Sequence, residues 1–419
     1  MAISWFDVPG IEGIELRDTA GEVGTGEVRT IDAERVGPVT RVLLDGLEPG
    51  STYAYRALTT DSPDETEWRT FATAPRVGEP ASGRQTDSRT SLQFAVAGDL
   101  QPFNEETVRT TRLGLSKIAS LDPAFVVQVG DVAEVGISRR SWRLTASVLS
   151  IAGDEIPIVA TAGNHDYYYG LPSVRYFKSF FPAPYAGGDS LRRNTWYSLT
   201  VGSVHIAVLD TEADRDRFED QVAWLEADLA AARVGGARWL FISMHRPIWA
   251  TATGSENQRW AYELLPIIAR HGVDAVFWGH DHMHEHYEYR YGANGYVFDP
   301  ADSVAENPTH FFTVGTIGAR VDSLYPGFFT HRPFAEQWEM YDPATGLRTT
   351  LQFSQRPWNT DYVKRDQPGV RYQDPAAYPA AASYYSYPFD SAADALAGRY
   401  STDPLKRYSD DAEFFGYTY

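Results

Sequence analysis

The 419 residues include no cysteine, which excludes disulfides, thiolate zinc sites and a cysteine nucleophile, and leaves the redox compartment open. No uninterrupted apolar run reaches the length of about eighteen residues that a membrane-spanning helix needs. Residues 1–10 show no basic start followed by an apolar stretch, the pattern of a secretory leader. Positive charge is also in short supply. Lys and Arg number 37 against 56 Asp and Glu, a formal charge of −19, which argues against nucleic-acid binding through a basic surface. An acidic chain draws cations, and an anionic substrate then needs local positive charge, for which metal ions are the obvious source. Apolar residues at 43% and charged residues at 22% predict a soluble globular protein, and the length exceeds one ordinary core, so two domains are expected.

Residues 1–75 read as all-β. The runs 39–44 and 52–58 alternate in polarity, and Pro49 and Gly50 mark a turn between them. The stretch 44–55, in which a turn delivers the paired aromatics Tyr53 and Tyr55, resembles the late strands of a fibronectin type III-like sandwich. Ile3, Ser4 and Trp5 would form an early core strand with only two residues before it. A complete sandwich has a further strand there, so the natural protein is expected to be longer at its N-terminus. Residues 76–90, rich in Pro, Gly, Ser and charge, read as a linker.

Residues 91–355 change character. Apolar runs at 94–97, 125–129, 156–160, 205–209, 239–243, 275–278 and 311–314 each end in a polar cluster. Between several of them lie helical patterns, clearest at 105–121 and 218–232. Strand and helix in alternation predict an α/β domain whose largely parallel sheet binds its ligand at the carboxyl ends of the strands. Residues 356–419 carry repeated Tyr with little periodicity. They read as an irregular strap on the catalytic domain, with lining of the site's mouth as the alternative.

Five polar clusters follow five strands: Gly98-Asp99, Gly130-Asp131, Gly163-Asn164-His165-Asp166, Met244-His245-Arg246-Pro247 and Gly279-His280-Asp281-His282. One Gly-Asp after a strand is usually a turn, and one buried His is usually a core residue. Five ligand-bearing clusters in one order are a different matter. Carboxylate and amide oxygens with neutral imidazoles suit Mn, Fe, Zn or similar ions, and two ions sharing a carboxylate can activate water and clamp phosphoryl oxygens. The glycine before each ligand is expected to let the chain turn off its strand, and His280 and His282 are expected on one side of a continued strand.

This order resembles the calcineurin-like metallophosphoesterases. The leading sandwich and the Met-His-Arg-Pro and Gly-His-Asp-His forms bring it closest to the purple acid phosphatase branch. The resemblance covers roughly residues 1–350 and implies a metallophosphoesterase β-sandwich flanked by helices. It implies that Asp131 bridges two metal ions, that Asp99 and His282 hold the first, and that Asn164, His245 and His280 hold the second. His165 would stay off the metals near the phosphate, as general acid or charge stabiliser. Two departures stand out. Glu134 occupies the position of the iron-binding Tyr of purple acid phosphatases, so no purple colour is expected. Its carboxylate is expected to pair with His165, or alternatively to replace Tyr as a ligand. Asp99-Leu100-Gln101 replaces the Asp-x-His of many members, leaving Gln101 or water to fill that metal position.

The activity so implied is hydrolysis of a small-molecule phosphate ester, a monoester first, with metal-bound hydroxide as nucleophile. A phosphodiesterase or nucleotide hydrolase on the same site is the alternative. A cell-surface binding protein with an inert site is the rival of another class. The resemblance also implies a secreted or extracytoplasmic protein. Among other residues, His284 and His286 read as rim or solvated, and His205, His271, His310 and His331 as structural. Arg246, Tyr167, Tyr168, Tyr169 and Asp210 are open between a role at the site and an ordinary one.

Overall fold

The structure is a computed structural model that describes residues 1–19, 27–60, 66–76, 92–167, 174–186, 195–212, 215–248, 258–289, 309–315, 317–319, 337–341 and 348–352. The linker from 77, Tyr168, Tyr169, His331 and the Tyr-rich tail lie outside the described residues. Two compact units are formed. The first takes the described residues of 1–245 with 317–319, and the second those of 246–315 and 337–352.

The first unit opens with seven strands: β1 (Ala2–Phe6), β2 (Ile11–Asp18), β3 (Val28–Asp32), β4 (Glu34–Val36), β5 (Val39–Leu43), β6 (Thr52–Thr59) and β7 (Arg69–Ala72). They pair antiparallel in two sheets, β1-β5-β4 and β3-β2-β6-β7. Alternation sets the faces. Ile14 and Leu16 point into a core shared with Val42, Tyr53, Tyr55 and Phe71, while Glu15 between them pairs with Arg56 at 2.6 Å. The Glu48 N–H donates to the Tyr53 hydroxyl at 2.8 Å, the corner bond found in β-sandwiches. Phe6 stacks on Trp142 at 5.8 Å, and Asp7 accepts from Arg139 and Arg143, so the all-β part is tied to the α/β part of the same unit.

That part runs β8 (Ala95–Ala97), α1 (Glu105–Leu121), β9 (Val126–Gln128), α2 (Arg139–Gly153), β10 (Ile158–Ala160), α3 (Asn164–Tyr167), α4 (Arg175–Phe180), β11 (Tyr197–Val201), β12 (Val204–Val208), α5 (Arg215–Val234) and β13 (Trp239–Ser243). Strands β10-β9-β8 form one parallel sheet. In a second sheet β11 meets β12 antiparallel and β12 meets β13 parallel. The sheets are tied together by the Thr161 and Ser243 hydroxyls at 2.6 Å, by the Tyr197 hydroxyl on the Ala160 carbonyl at 3.0 Å and by Phe94 against Phe241. Every residue of β12 is buried, as a strand covered on both faces requires.

The second unit holds α6 (Gln258–His271), β14 (Ala275–Trp278), β15 (His284–Tyr289), β16 (Thr309–Val314), β17 (Gln337–Tyr341) and β18 (Arg348–Gln352). Strand β14 runs parallel to β16, β15 runs antiparallel to it, and β17 pairs with β18. The metal-ligand candidates follow β8, β9, β10, β13 and β14, at the carboxyl ends as expected. The sheets are more mixed than the largely parallel expectation, because β11 and β15 are antiparallel edges.

Candidate metal centre

The turns that carry the candidate ligands are strained. Among the described residues, Asp99, Gln101, Asp131 and His280 have φ of 53°, 34°, 52° and 70°. The left-handed region costs an ordinary side chain of order 1–3 kcal/mol and persists where the surroundings over-determine it, often at functional sites. At Asp99 and His280 the ligand residue makes the sharp turn itself, where the preceding glycine was expected to, while at Asp131 the expected glycine turn is present as well, Gly130 having φ 106°. Gly130, at φ 106°, contributes a second device, since a Cβ there would lie 2.2 Å from His245 Nδ1. At Gly163 the requirement is space alone: its Cβ would meet Asp131 Oδ1 at 2.2 Å.

In the first unit Asp99, Asp131 and His245 are almost fully buried. His245 Nδ1 lies 3.0 Å from the Val129 carbonyl, which only accepts, so Nδ1 carries the hydrogen and Nε2 presents a lone pair. That lone pair meets two more acceptors, Asn164 Oδ1 at 3.0 Å and Asp131 Oδ2 at 3.3 Å. In the neutral imidazole three lone pairs converge, and either a proton on Nε2 or a metal ion can sit among them. Donors held about 2.1 Å from one ion and about a right angle apart stand roughly 3.0 Å from each other, so the spacing fits a divalent metal. The electrostatics agree. Burial works to lower the His245 imidazole, yet the charges of Asp131 and Asp99 overcome it and lift the group to about 9. The same pull that captures a proton here would capture a metal ion.

His165 is positioned by main chain. Its N–H donates to Asp131 Oδ1 at 2.8 Å, and its Nδ1 lies 2.8 Å from the Glu134 carbonyl oxygen. The Glu134 carboxylate, the expected partner, stands 3.9 Å from Nδ1 and instead accepts from Gln101 Nε2 at 3.2 Å. Glu134 thus meets His165 through its carbonyl, with its carboxylate also within ion-pair distance of the ring. Nδ1 therefore carries the hydrogen, and Nε2 is the ring atom left for chemistry.

In the second unit His280 and His282 lie on the bend 280–283 between β14 and β15, so the continued strand expected to align them is not formed. Arg246 Nη1 stands 3.0 Å from His280 Nε2. A guanidinium only donates, so here too an imidazole lone pair faces positive charge. His284 is half-buried, and burial first, then the charge of His286, push its imidazole down to about 4. His286 is half-buried too. It stands 2.9 Å from His310 and stacks on Phe312. His205 is structural, held between Asp228 at 2.8 Å and Thr200 at 2.9 Å.

One supporting residue emerges to which the motif reading gave no role. Asp166 is fully buried and accepts from the N–H groups of Gly163, Ala133 and Val132 at 2.9, 3.0 and 3.2 Å. It thereby fixes the loop after Asp131 to the turn before Asn164. Burial and the Asp131 charge push it up to about 7, against those three N–H groups. Asp210 holds Tyr167 at the end of α3 through its hydroxyl, so both act as supports. Only the position of Asp166 inside Gly-Asn-His-Asp signalled its role. Asp166→Asn turns one acceptor into an NH₂ facing N–H donors, an expected loss of about 2–4 kcal/mol in denaturant unfolding. A variant as stable as wild type would show that these bonds contribute little.

Comparison with known proteins agrees with this geometry. The calcineurin-like phosphoesterase family matches residues 92–284. Purple acid phosphatase 18 of Arabidopsis thaliana is 29% identical over 201 residues, 46% of this chain and 44% of that protein. Acid phosphatase type 7 of Mus musculus is 27% identical over 331 residues, 71% of this chain and 68% of that protein. In fold, purple acid phosphatase PPD1 from yellow lupin (Lupinus luteus) seeds matches with a TM-score of 0.59 at 17% identity, over 78% of this chain and 64% of that one. The chain therefore carries a calcineurin-like phosphoesterase domain with a metallophosphoesterase fold. Purple acid phosphatases are among its homologues. It spans 44% to 63% of the length of the first plant relatives it matches.

Proposed function

We propose that the protein hydrolyses phosphate esters with two divalent metal ions, shared through Asp131. Asp99 and His282 complete the first position, and Asn164, His245 and His280 the second. The observation that carries this reading is the approach of Asn164 Oδ1 and Asp131 Oδ2 to His245 Nε2, at 3.0 and 3.3 Å, a set of donors that a metal ion can share once the imidazole gives up its proton. When bound, the ions would supply an activated water and neutralise phosphoryl charge. The chain's own residues do the rest. His165, its Nδ1 fixed on the Glu134 carbonyl, offers Nε2 to protonate the leaving oxygen. Arg246 adds a guanidinium suited to phosphate oxyanions.

A monoester is the favoured substrate, and a diester or nucleotide is the second reading on the same site. An inert binding protein is disfavoured, because all six ligand residues are present and three of them, Asp99, Asp131 and His280, sit in strained turns. The domain division proposed with this function is a fibronectin type III-like part at 1–75, a linker at 76–90, a catalytic part at 91–355 and an extension at 356–419. An extracytoplasmic location belongs to the same proposal.

The test is elemental analysis of the purified protein together with a panel of mono-, di- and triesters. Close to two ions per chain and fastest turnover of monoesters are expected. Stripping the metal should abolish hydrolysis while circular dichroism is kept, since the cores do not depend on the ions. Full activity in metal-stripped protein would defeat the reading.

A further inference from the structure

The two side chains that depart from the family pattern, Gln101 and Glu134, are bonded to each other. Gln101 Nε2 donates to Glu134 Oε2 at 3.2 Å. Gln101 is only 3% exposed, and its Oε1 is a buried acceptor with no hydrogen-bond partner. A buried polar atom left unmatched costs about 1–3 kcal/mol. The residue carries a second cost in its left-handed backbone, φ 34°. Two costs on one residue, two positions after Asp99, mark an atom that is kept for a ligand.

The amide's orientation is fixed. A carboxylate only accepts, so Glu134 selects the rotamer that presents Nε2 to it and leaves Oε1 with its lone pairs unused. The loop is fixed as well. Asp99 N–H donates to the Gly130 carbonyl at 3.1 Å, and Gln101 N–H to the Asp131 carbonyl at 3.4 Å. Gln101 is thus locked to the turn that carries Asp131.

We propose that Gln101 Oε1 is a ligand of the metal ion bound by Asp99 and Asp131, and that Glu134 orients it. That position then holds amide and carboxylate oxygens where an imidazole would otherwise contribute nitrogen. Its preference shifts toward hard divalent ions such as Mn²⁺ and away from Zn²⁺. The inference rests on the metal reading above, so the test separates the two.

Metal-stripped protein is titrated with Mn²⁺ and with Zn²⁺ by calorimetry, in wild type, Gln101→Leu, Gln101→His and Glu134→Gln. Wild type is expected to take two Mn²⁺. Gln101→Leu is expected to weaken one of them by roughly ten- to a hundredfold and leave the other. Gln101→His restores a donor, but as nitrogen, and should raise the Zn²⁺-to-Mn²⁺ affinity ratio at that site at least tenfold. Glu134→Gln should weaken the same Mn²⁺ by a smaller factor. An amide with a structural role alone would lower the melting temperature without moving the ratio. Should Gln101→Leu fail to fold, Gln101→Asn replaces it, keeping the amide but withdrawing it by one methylene. Two Mn²⁺ bound at wild-type affinity in the truncated variant, or an unchanged ratio in Gln101→His, overturns the ligand assignment alone. Wild type that binds neither metal overturns the two-metal reading as well.

Discussion

Asp131→Ala is expected to lose both metal ions and about 10⁴-fold in kcat/KM, whereas Asn164→Ala loses one ion and far less activity. The difference follows from geometry. Asp131 Oδ2 faces His245 Nε2 at 3.3 Å, while its Oδ1 accepts the N–H of His165 at 2.8 Å. Removing it takes a ligand from each proposed metal position and unties the turn that carries the candidate acid. Asn164 contributes one oxygen, 3.0 Å from His245 Nε2. Metal ions supply several kcal/mol of charge stabilisation in such reactions, and each 1.36 kcal/mol is tenfold in rate, which gives the magnitude. The measurement is metal content and steady-state kinetics on both variants. Equal retention of metal and activity would remove Asp131 from the bridging role.

Much of the frame was legible because strand-end motifs and apolar runs are local signals. Strands β13 and β14 appear with the bounds read from their continuous apolar runs. Helix α1 does too, its start fixed by the capping box of Asn104 and Thr107. Helix α2 escaped, since its buried face includes Ser141 and Thr145 beside Trp142, Val148 and Leu149, and polar core residues blur the period. Helix α6 carries Pro266 inside it, which reads as a break. At the site, residue types gave the ligands in order, but types say little of main chain. The left-handed turns at Asp99, Asp131 and His280 leave no mark on composition. Nor does a carbonyl acceptor, so the Glu134 carbonyl 2.8 Å from His165 Nδ1 is invisible in the sequence beside the carboxylate that stands 3.9 Å from the same atom. Asp166 is similar: its three partners are backbone N–H groups from two separate loops, and no side chain announces them.

The main-chain bond at Glu134 reshapes what its variants should do to proton transfer. If His165 Nε2 delivers the proton to the leaving oxygen, His165→Gln should slow poor leaving groups most. General acid catalysis contributes roughly 10²–10⁴-fold, and the poorest leaving groups need it in full. On an alkyl phosphate the variant is therefore expected to lose at least about a hundredfold, and on nitrophenyl phosphate only a few-fold. Glu134→Gln keeps the carbonyl that accepts from Nδ1 at 2.8 Å, so its rates should parallel wild type across the same series. Whatever it costs through the bond from Gln101 Nε2 should fall equally on every substrate. The check is the slope of log kcat/KM against leaving-group pKa for wild type and both variants. A steeper slope in His165→Gln with an unchanged slope in Glu134→Gln supports the carbonyl as orienter. A slope that steepens equally in Glu134→Gln would return the orienting role to the carboxylate, now 3.9 Å from the ring. A slope unchanged in His165→Gln would remove the imidazole from proton transfer and leave it as a stabiliser of phosphoryl charge.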